Sequence, residues 1–292
     1  MSNLKDLFDM PDSLKDMTTE PPKRKTDDNL YTVNPKDGKD NVYKAKIRFL
    51  MNINNKNESI IATHYHWLTD ANGENPVYVV DPSSVGESSP INDLFWKFKK
   101  STNPAEQRMA DMLSRKTKYF SLVQIIEDEQ HPELVGKIKV FSYGTKIKTK
   151  LDEEDSDEDG GNPFNILSAR TFKLEVKIVA GFANYDSCRF VGSKTALVID
   201  GKSISEDKDA TRVLEYFKNA PSLDDYKFKP WSAELTEKVN KNLATYTKGF
   251  VPTAIENAMK QENDDEDVRT PVQTTSYNTE EEDDDFLEGI NI

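Results

Sequence analysis

One cysteine stands in 292 residues. Cys188 has no partner for an internal disulfide and cannot build a multi-cysteine zinc site. Such sparing use of thiols fits a reducing compartment. Histidine is nearly as scarce, at three, which limits metal chemistry. His64 and His66 in "THYHW" stand at i and i+2, one face of a strand, where two imidazoles can share a zinc. No cysteine follows at ligand spacing and only His131 remains elsewhere, so the pair reads as ordinary strand histidines. No apolar run approaches the ~18 residues of a membrane-crossing helix. The opening "MSNLKDLFDMPDSLKDM" lacks a basic segment followed by an apolar one, so no secretory leader is expected. A phosphate loop, G-x-S-x-G and H-E-x-x-H are all missing, Cys188 has no histidine in its motif, and no enzyme is expected. No internal repeat is visible.

What is present is unevenly spread. Hydrophobic residues are 36% of the chain, enough for a core of roughly 200 residues but not for all of it. The net charge of −13 argues at first against an anionic partner. Residues 261–292, however, hold 12 Asp or Glu and one Arg, which leaves −2 for residues 1–260. The run "DEEDSDED" at 152–159 supplies seven acids, and without it the remainder carries +5. The charge pattern is that of a mildly basic body with an acidic tail and an acidic internal loop.

Periodicity organises the middle of the chain. "VYKAKIRFLMNI" (42–53) alternates as a half-buried strand, followed by strands at 59–68 and 75–81. "SPINDLFWKFKK" (89–100) opens like a helix. "NPAEQRMADMLSRK" (103–116) puts Met109, Met112 and Leu113 on one helical face. Strands are expected at 118–128, 136–150, 170–182 and 194–200, and helices near 208–219 and 232–247. "GFANYDSCRF" (181–190) reads as a loop. The expected fold is mainly β (α+β), an OB-fold five-stranded barrel with helical insertions. It divides into a flexible arm at 1–40, a core at 41–250 and an acidic tail at 251–292.

Rings and cations recur together at predicted strand ends. "KAKIRF" contains Lys46 and Arg48; "SRKTKYF" sets Arg115, Lys116 and Lys118 before Tyr119 and Phe120. "FSYGTKIKTK" sets Phe141 and Tyr143 before Lys146, and "GFANYDSCRF" holds Phe182, Tyr185 and Arg189. Single-stranded nucleic acid asks for this mixture, because cations track phosphates while rings stack on exposed bases. Any one such stretch is equally well a strand with a wet, lysine-decorated face. The cluster Lys23, Arg24, Lys25 and Thr26 is a solvated patch or a contact for acidic groups. In the tail, Asp283, Asp284 and Asp285 lead into Phe286 and Leu287, apolar residues set in acid as in a docking peptide. Two further readings stay open: a single-stranded RNA-binding or chaperone module, and an acidic interaction scaffold that mimics nucleic acid.

Over residues 43–192 the chain resembles the single-stranded DNA-binding (helix-destabilising) proteins of T-even bacteriophages. The resemblance is carried by "KIRFL", "SRKTKYFSLVQIIED", "GKIKVFSYGTKI" and above all "FKLEVKIVAGFANYDSCRF". It implies DNA contacts at Arg48, Arg115, Lys116, Tyr119, Phe120, Phe141, Tyr143, Phe182 and Tyr185. It implies cooperative contact between neighbouring protomers through Lys23–Thr26, and recruitment of phage replication and recombination proteins by the acidic tail, in the host cytoplasm and without a membrane. The family's type-member holds zinc with one histidine and three cysteines. Here Pro82, Ser89 and Asn92 stand near the cysteine positions. The expectation is therefore no cofactor and no zinc, with packing by Phe95, Trp96 and Phe98 in its place.

Overall fold

Alternating side chains decide which residues pair, and the computed structural model, which describes residues 27–205 and 208–247, shows the result. Nine strands share one sheet: β1 (Leu30–Tyr31), β2 (Val42–Leu50), β3 (Ile61–Leu68), β4 (Val77–Val80), β5 (Lys116–Asp128), β6 (Ile138–Tyr143), β7 (Ala169–Val179), β8 (Phe182–Asn184) and β9 (Arg189–Thr195). β10 (Val198–Ile199) and β11 (Lys202–Ser203) form a separate hairpin. The helices among the described residues are α1 (Pro90–Lys99), α2 (Pro104–Met112), α3 (Thr145–Ser156), α4 (Ala210–Phe217) and α5 (Ala233–Thr247). No helix among them is long and apolar enough to cross a membrane.

The sheet runs β1-β6-β5-β2-β7-β8, with β3 joining β5 to β4 and β9 added to β7. Long β5 is shared along one edge: its first residues, to Phe120, pair with β3, and those from Leu122 pair with β2. A register shift at Lys46/Ile47 and another between Ala169 and Thr171 interrupt the ladders, as bulges that bend strands do. Among the described residues no ladder joins β1 to β8 or β9, and the ladders make one open sheet of nine strands, more than the five expected. The broad expectation of a mixed, mostly β fold holds.

Both faces of the central strands are covered. On one face Ile47, Phe49, Val123, Ile125, Phe141, Phe172 and Leu174 pack with Ile147 and Leu151 of α3. On the other, Leu50, Leu122 and Val140 meet Leu197, Ile199, Phe217 and Leu223. Neighbours such as Leu122 and Val123 thus enter different cores, as a period of two requires. A third core joins the β3–β4 hairpin to α1, α2 and α5 through Leu68, Val79, Ile91, Phe98, Met109, Leu113 and Val239. Of the three rings expected to fill this region, Phe98 is buried and Phe95 packs against the core, but Trp96 is 39% exposed.

Five local expectations change. The strand placed at 136–150 ends at Tyr143, and α3 follows Gly144. Ile147 and Leu151, four apart, give one helical face to the core, and Lys148 pairs with Asp152 along the helix. The acidic run at 152–159 is accordingly the last turn of that helix and the turn beyond it. Buried Glu154 is held there by Arg170, whose Nε and Nη2 donate at 2.7 and 2.5 Å. The strand placed at 194–200 splits, because Asp200 and Gly201 take positive φ (47° and 75°) and turn β10 back on β11. "GFANYDSCRF" is not a loop: it is β8, a tight turn and the start of β9. Finally, residues 27–40 are built into the fold rather than forming part of a flexible arm. β1 lies parallel on β6, and Tyr31 is buried.

Asp128 fixes that N-terminal strand. Its Oδ2 accepts from the hydroxyls of Tyr31 at 2.6 Å and Tyr43 at 2.7 Å. Its Oδ1 accepts from the backbone N–H of Gln130 and His131. Asp128→Ala is expected to cost about 3 kcal/mol, since two buried hydroxyls lose a charged acceptor. That lowers Tm by roughly 6–12 °C in a domain of this size; an unchanged melting curve would contradict it. At the β7–β8 turn Ala180 sits at φ 50° beside Gly181 at φ 84°. Asn tolerates this left-handed conformation better than Ala. Ala180→Asn should therefore stabilise the fold by about 1 kcal/mol in urea unfolding.

Candidate nucleic-acid interface

The first turns of α3 lie between two groups of rings. Tyr119 on β5 stacks on Tyr143 of β6 at 5.8 Å and 22°, and Lys148 Nζ stands 6.0 Å from the Tyr119 ring centre. On the other side Lys146 pairs with Asp186 at 2.9 Å, and Lys150 donates to the Asp186 carbonyl at 3.4 Å. Asp186 belongs to the β8–β9 turn and also accepts from Asn184 at 2.7 Å. The hydrogen bond from Lys146, then that from Asn184, holds its carboxyl below the ordinary value. Tyr185 in the same turn is half-buried against the core. Phe182 is 40% exposed on edge strand β8, opposite exposed Val179. Tyr119, Lys146 and the turn that carries Tyr185, expected as contacts, thus meet at one helix, while Phe182 lies on the adjoining edge strand.

A second group runs across strands. Lys46 stands opposite Lys173, and Lys173 opposite Arg189, so three cations form a rung over β2, β7 and β9. Glu127 closes one end by pairing with Lys46 at 2.8 Å, and Glu175 pairs with Lys173 at 2.5 Å. The hydrogen bond from Lys173 lowers the Glu175 pKa. Arg189 is exposed and donates to the Ser187 carbonyl at 3.4 Å. Lys173 was legible only as part of a wet strand face.

A third group lies on the β3–β4 hairpin. Trp67 is directly opposite Tyr78, with ring centres 5.2 Å apart and exposures of 56% and 41%. Tyr65 lies 5.3 Å from Tyr78, and Lys118 Nζ stands 5.7 Å over the Tyr65 ring. Burial lowers the Lys118 pKa. Exposed Lys116 is opposite Tyr65, and exposed Arg115 reaches Ser83 Oγ at 3.4 Å. Trp67 and Tyr78 were not expected as site residues. Their signal was present in the alternation of "HYHWL" and "PVYVV", which puts both on one face of a hairpin.

Four expected contacts are internal instead. Arg48 is 2% exposed, and its guanidinium donates to the carbonyls of Asn165 and Thr195 at 3.1 and 2.7 Å and to Thr195 Oγ1 at 3.1 Å. Burial lowers its pKa to about 10. It ties the 165–166 loop to the end of β9 and does not face a ligand. Phe120 is buried and stacks on Tyr226 at 4.9 Å. Phe141 lies within the first core. Tyr143 is also buried, its hydroxyl 2.8 Å from Ser121 Oγ, and it acts only as the floor under Tyr119. The cause is common to all four: a strand covered on both faces leaves no side open for its interior residues. Lys23, Arg24, Lys25, Thr26, Asp283, Asp284, Asp285, Phe286 and Leu287 lie outside the described residues.

Residues 41–244 match the family model described as "gp32 DNA binding protein like". The chain is 28% identical over 178 residues to the single-stranded DNA-binding proteins of Enterobacteria phage T2 and Enterobacteria phage T4. Each match covers 59% of this chain and 56% of the relative, little more than half the length of the curated proteins. The family model spans well over half of the chain, including every strand from β2 on and the three ring-and-cation groups, and the chain belongs to the gp32-like DNA-binding protein family.

Proposed function

We propose that this chain binds single-stranded DNA without sequence preference, coating and protecting unwound strands during viral replication, recombination and repair. The observation that carries the reading is the placement of α3. Its Lys146, Lys148 and Lys150 lie between the Tyr119–Tyr143 stack and the β8–β9 turn that carries Tyr185 and Asp186. Rings beside cations suit bases and phosphates together. The bent run β6-β5-β2-β7-β9 is assigned to the OB-type barrel of this family, with β8 as its rim. The basic arm around Lys23–Thr26 is assigned to contact with the next protomer on the strand. The acidic tail is assigned to replication and recombination proteins and to shielding the cations when DNA is absent. The setting is the host cytoplasm. The protein acts by binding and not by catalysis: its one thiol, Cys188, is buried, which pushes its pKa up to about 11.

Fluorescence titration with labelled single strands at two salt concentrations tests the reading. Tyr119→Ala and Phe182→Ala should each weaken binding by about 1–3 kcal/mol on every homopolymer. For Phe182→Ala, at an exposed edge position, the melting temperature should stay near that of the parent. Unchanged affinity for both variants would remove the stacking model, and equal affinity for matched RNA would widen the ligand class. Removing residues 262–292 should tighten binding at low salt by withdrawing a competing polyanion. A truncated chain that binds no better would contradict shielding.

A further inference from the structure

The family resemblance brings with it a zinc held by one histidine and three cysteines, and the residues at that place in the fold do not fit the metal. Structural zinc sites are closed by four nitrogen or sulfur donors. Among the described residues no three His, Cys, Asp or Glu converge. Cys188 is in a different core, and His64 turns its Nδ1 to Thr117 Oγ1 at 3.0 Å.

What gathers there instead is a set of hydrogen-bond donors around one carboxylate. Asp81 is fully buried at the end of β4. Its Oδ2 accepts from His66 Nε2 at 2.8 Å and from Ser89 Oγ at 2.5 Å. Its Oδ1 accepts from the Ser83 backbone N–H at 2.8 Å and from Asn92 Nδ2 at 3.3 Å. His66 and Ser89 are 1% and 2% exposed, so water does not compete for these bonds. Asn92 also reaches Ser83 Oγ at 3.2 Å, and Ser89 caps α1 by accepting from the Asn92 N–H at 3.3 Å. Burial by itself would raise the Asp81 pKa. The bonds from His66, Ser83 and Ser89 outweigh it and hold the carboxyl well below its ordinary value.

We propose that Asp81 is the anionic centre of a metal-free cross-link that stands in for the family's zinc, binding β3, β4 and the start of α1 through His66, Ser83, Ser89 and Asn92. The polarity of the site is reversed. A zinc is a cation that collects lone pairs, whereas Asp81 is an anion that collects N–H and O–H groups. With Nε2 directed at Asp81, His66 Nδ1 is buried without a partner among the described residues, and the neutral tautomer that donates from Nε2 puts a lone pair there. A bare lone pair is less costly to bury unpaired than a bare N–H. The same elements are tied, and the hairpin bearing Trp67 and Tyr78 is thereby fixed on its third core. The proposal concerns the architecture of this lobe and does not rest on the ligand proposed above.

The full chain, purified without added metal, provides the test. Metal analysis should find well under one zinc per chain, and neither a strong chelator nor added zinc should move Tm. One zinc per chain, or a melting point lowered by the chelator, would overturn the proposal. Asp81→Asn, Ser89→Ala and Asn92→Ala should each lower Tm, the first most, by roughly 5–10 °C. Ser89→Ala combined with Asn92→Ala keeps the carboxylate and covers the case in which Asp81→Asn does not fold. If neither that pair nor Asp81→Asn shifts Tm, the cross-link is refuted. A triple variant, Asp81→Cys, Ser89→Cys and Asn92→Cys, should bind one cobalt with the visible spectrum of a tetrahedral thiolate site. Failure of the folded triple variant to do so would contradict the convergence of these positions on one point with His66.

Discussion

Covering both faces of β5, β6 and the Ile47–Leu50 end of β2 is the constraint on which the rest depends. A strand with one wet face can spend alternate side chains on a ligand. A strand with two cores cannot, and its whole middle belongs to packing. Ile47, Phe49 and Phe172 fill one core while Leu50, Leu122 and Val140 fill the other. Surface rings are therefore found where a strand enters or leaves the sheet or lies at its edge. Tyr119 is near the start of β5, Phe182 on the short edge strand β8, and Trp67 and Tyr78 on the hairpin beyond the central strands.

The same constraint sorts what the sequence made legible. Alternation located β2 and β7, because period two is the direct imprint of a pleated strand on a core. The Ser-Pro opening located α1, and helical spacing located α2 for the same reason. It did not separate β6 from α3, since "KIKVFSYGTKIKTK" is alternating and lysine-rich throughout and only Gly144 marks the change. Nor does a linear pattern say how many faces of a strand are covered. Arg48, Phe120, Phe141 and Tyr143 carry the chemistry of a nucleic-acid contact, and three-dimensional burial assigns them to the interior. Conversely, Trp67 and Tyr78 are eleven residues apart in sequence and meet only across a hairpin.

Asp81 and Asp128 show one solution used twice. Each is a buried carboxylate at the end of a strand, and each gathers donors from separate segments. One secures the N-terminal strand to the sheet, and the other secures the hairpin lobe to its helices. Charged centres of this kind are costly to desolvate and strongly destabilising to break. They specify geometry because only one arrangement of donors satisfies both oxygens. A sheet of many short edge strands, with few interior residues to hold each in register, has particular need of such fixed points.

The surface lysines come already accompanied. Lys46 has Glu127, Lys146 has Asp186, Lys148 has Asp152 and Lys173 has Glu175. On the reading proposed above, a phosphate arriving at any of these sites would take the place of a tethered carboxylate as well as of dissolved ions. Part of the charge exchange is therefore internal to the protein and contributes no mobile-ion entropy. On that reading the dependence of affinity on ionic strength undercounts the lysines engaged, because each exposed pair is worth only about 0–1 kcal/mol and opens readily to a phosphate.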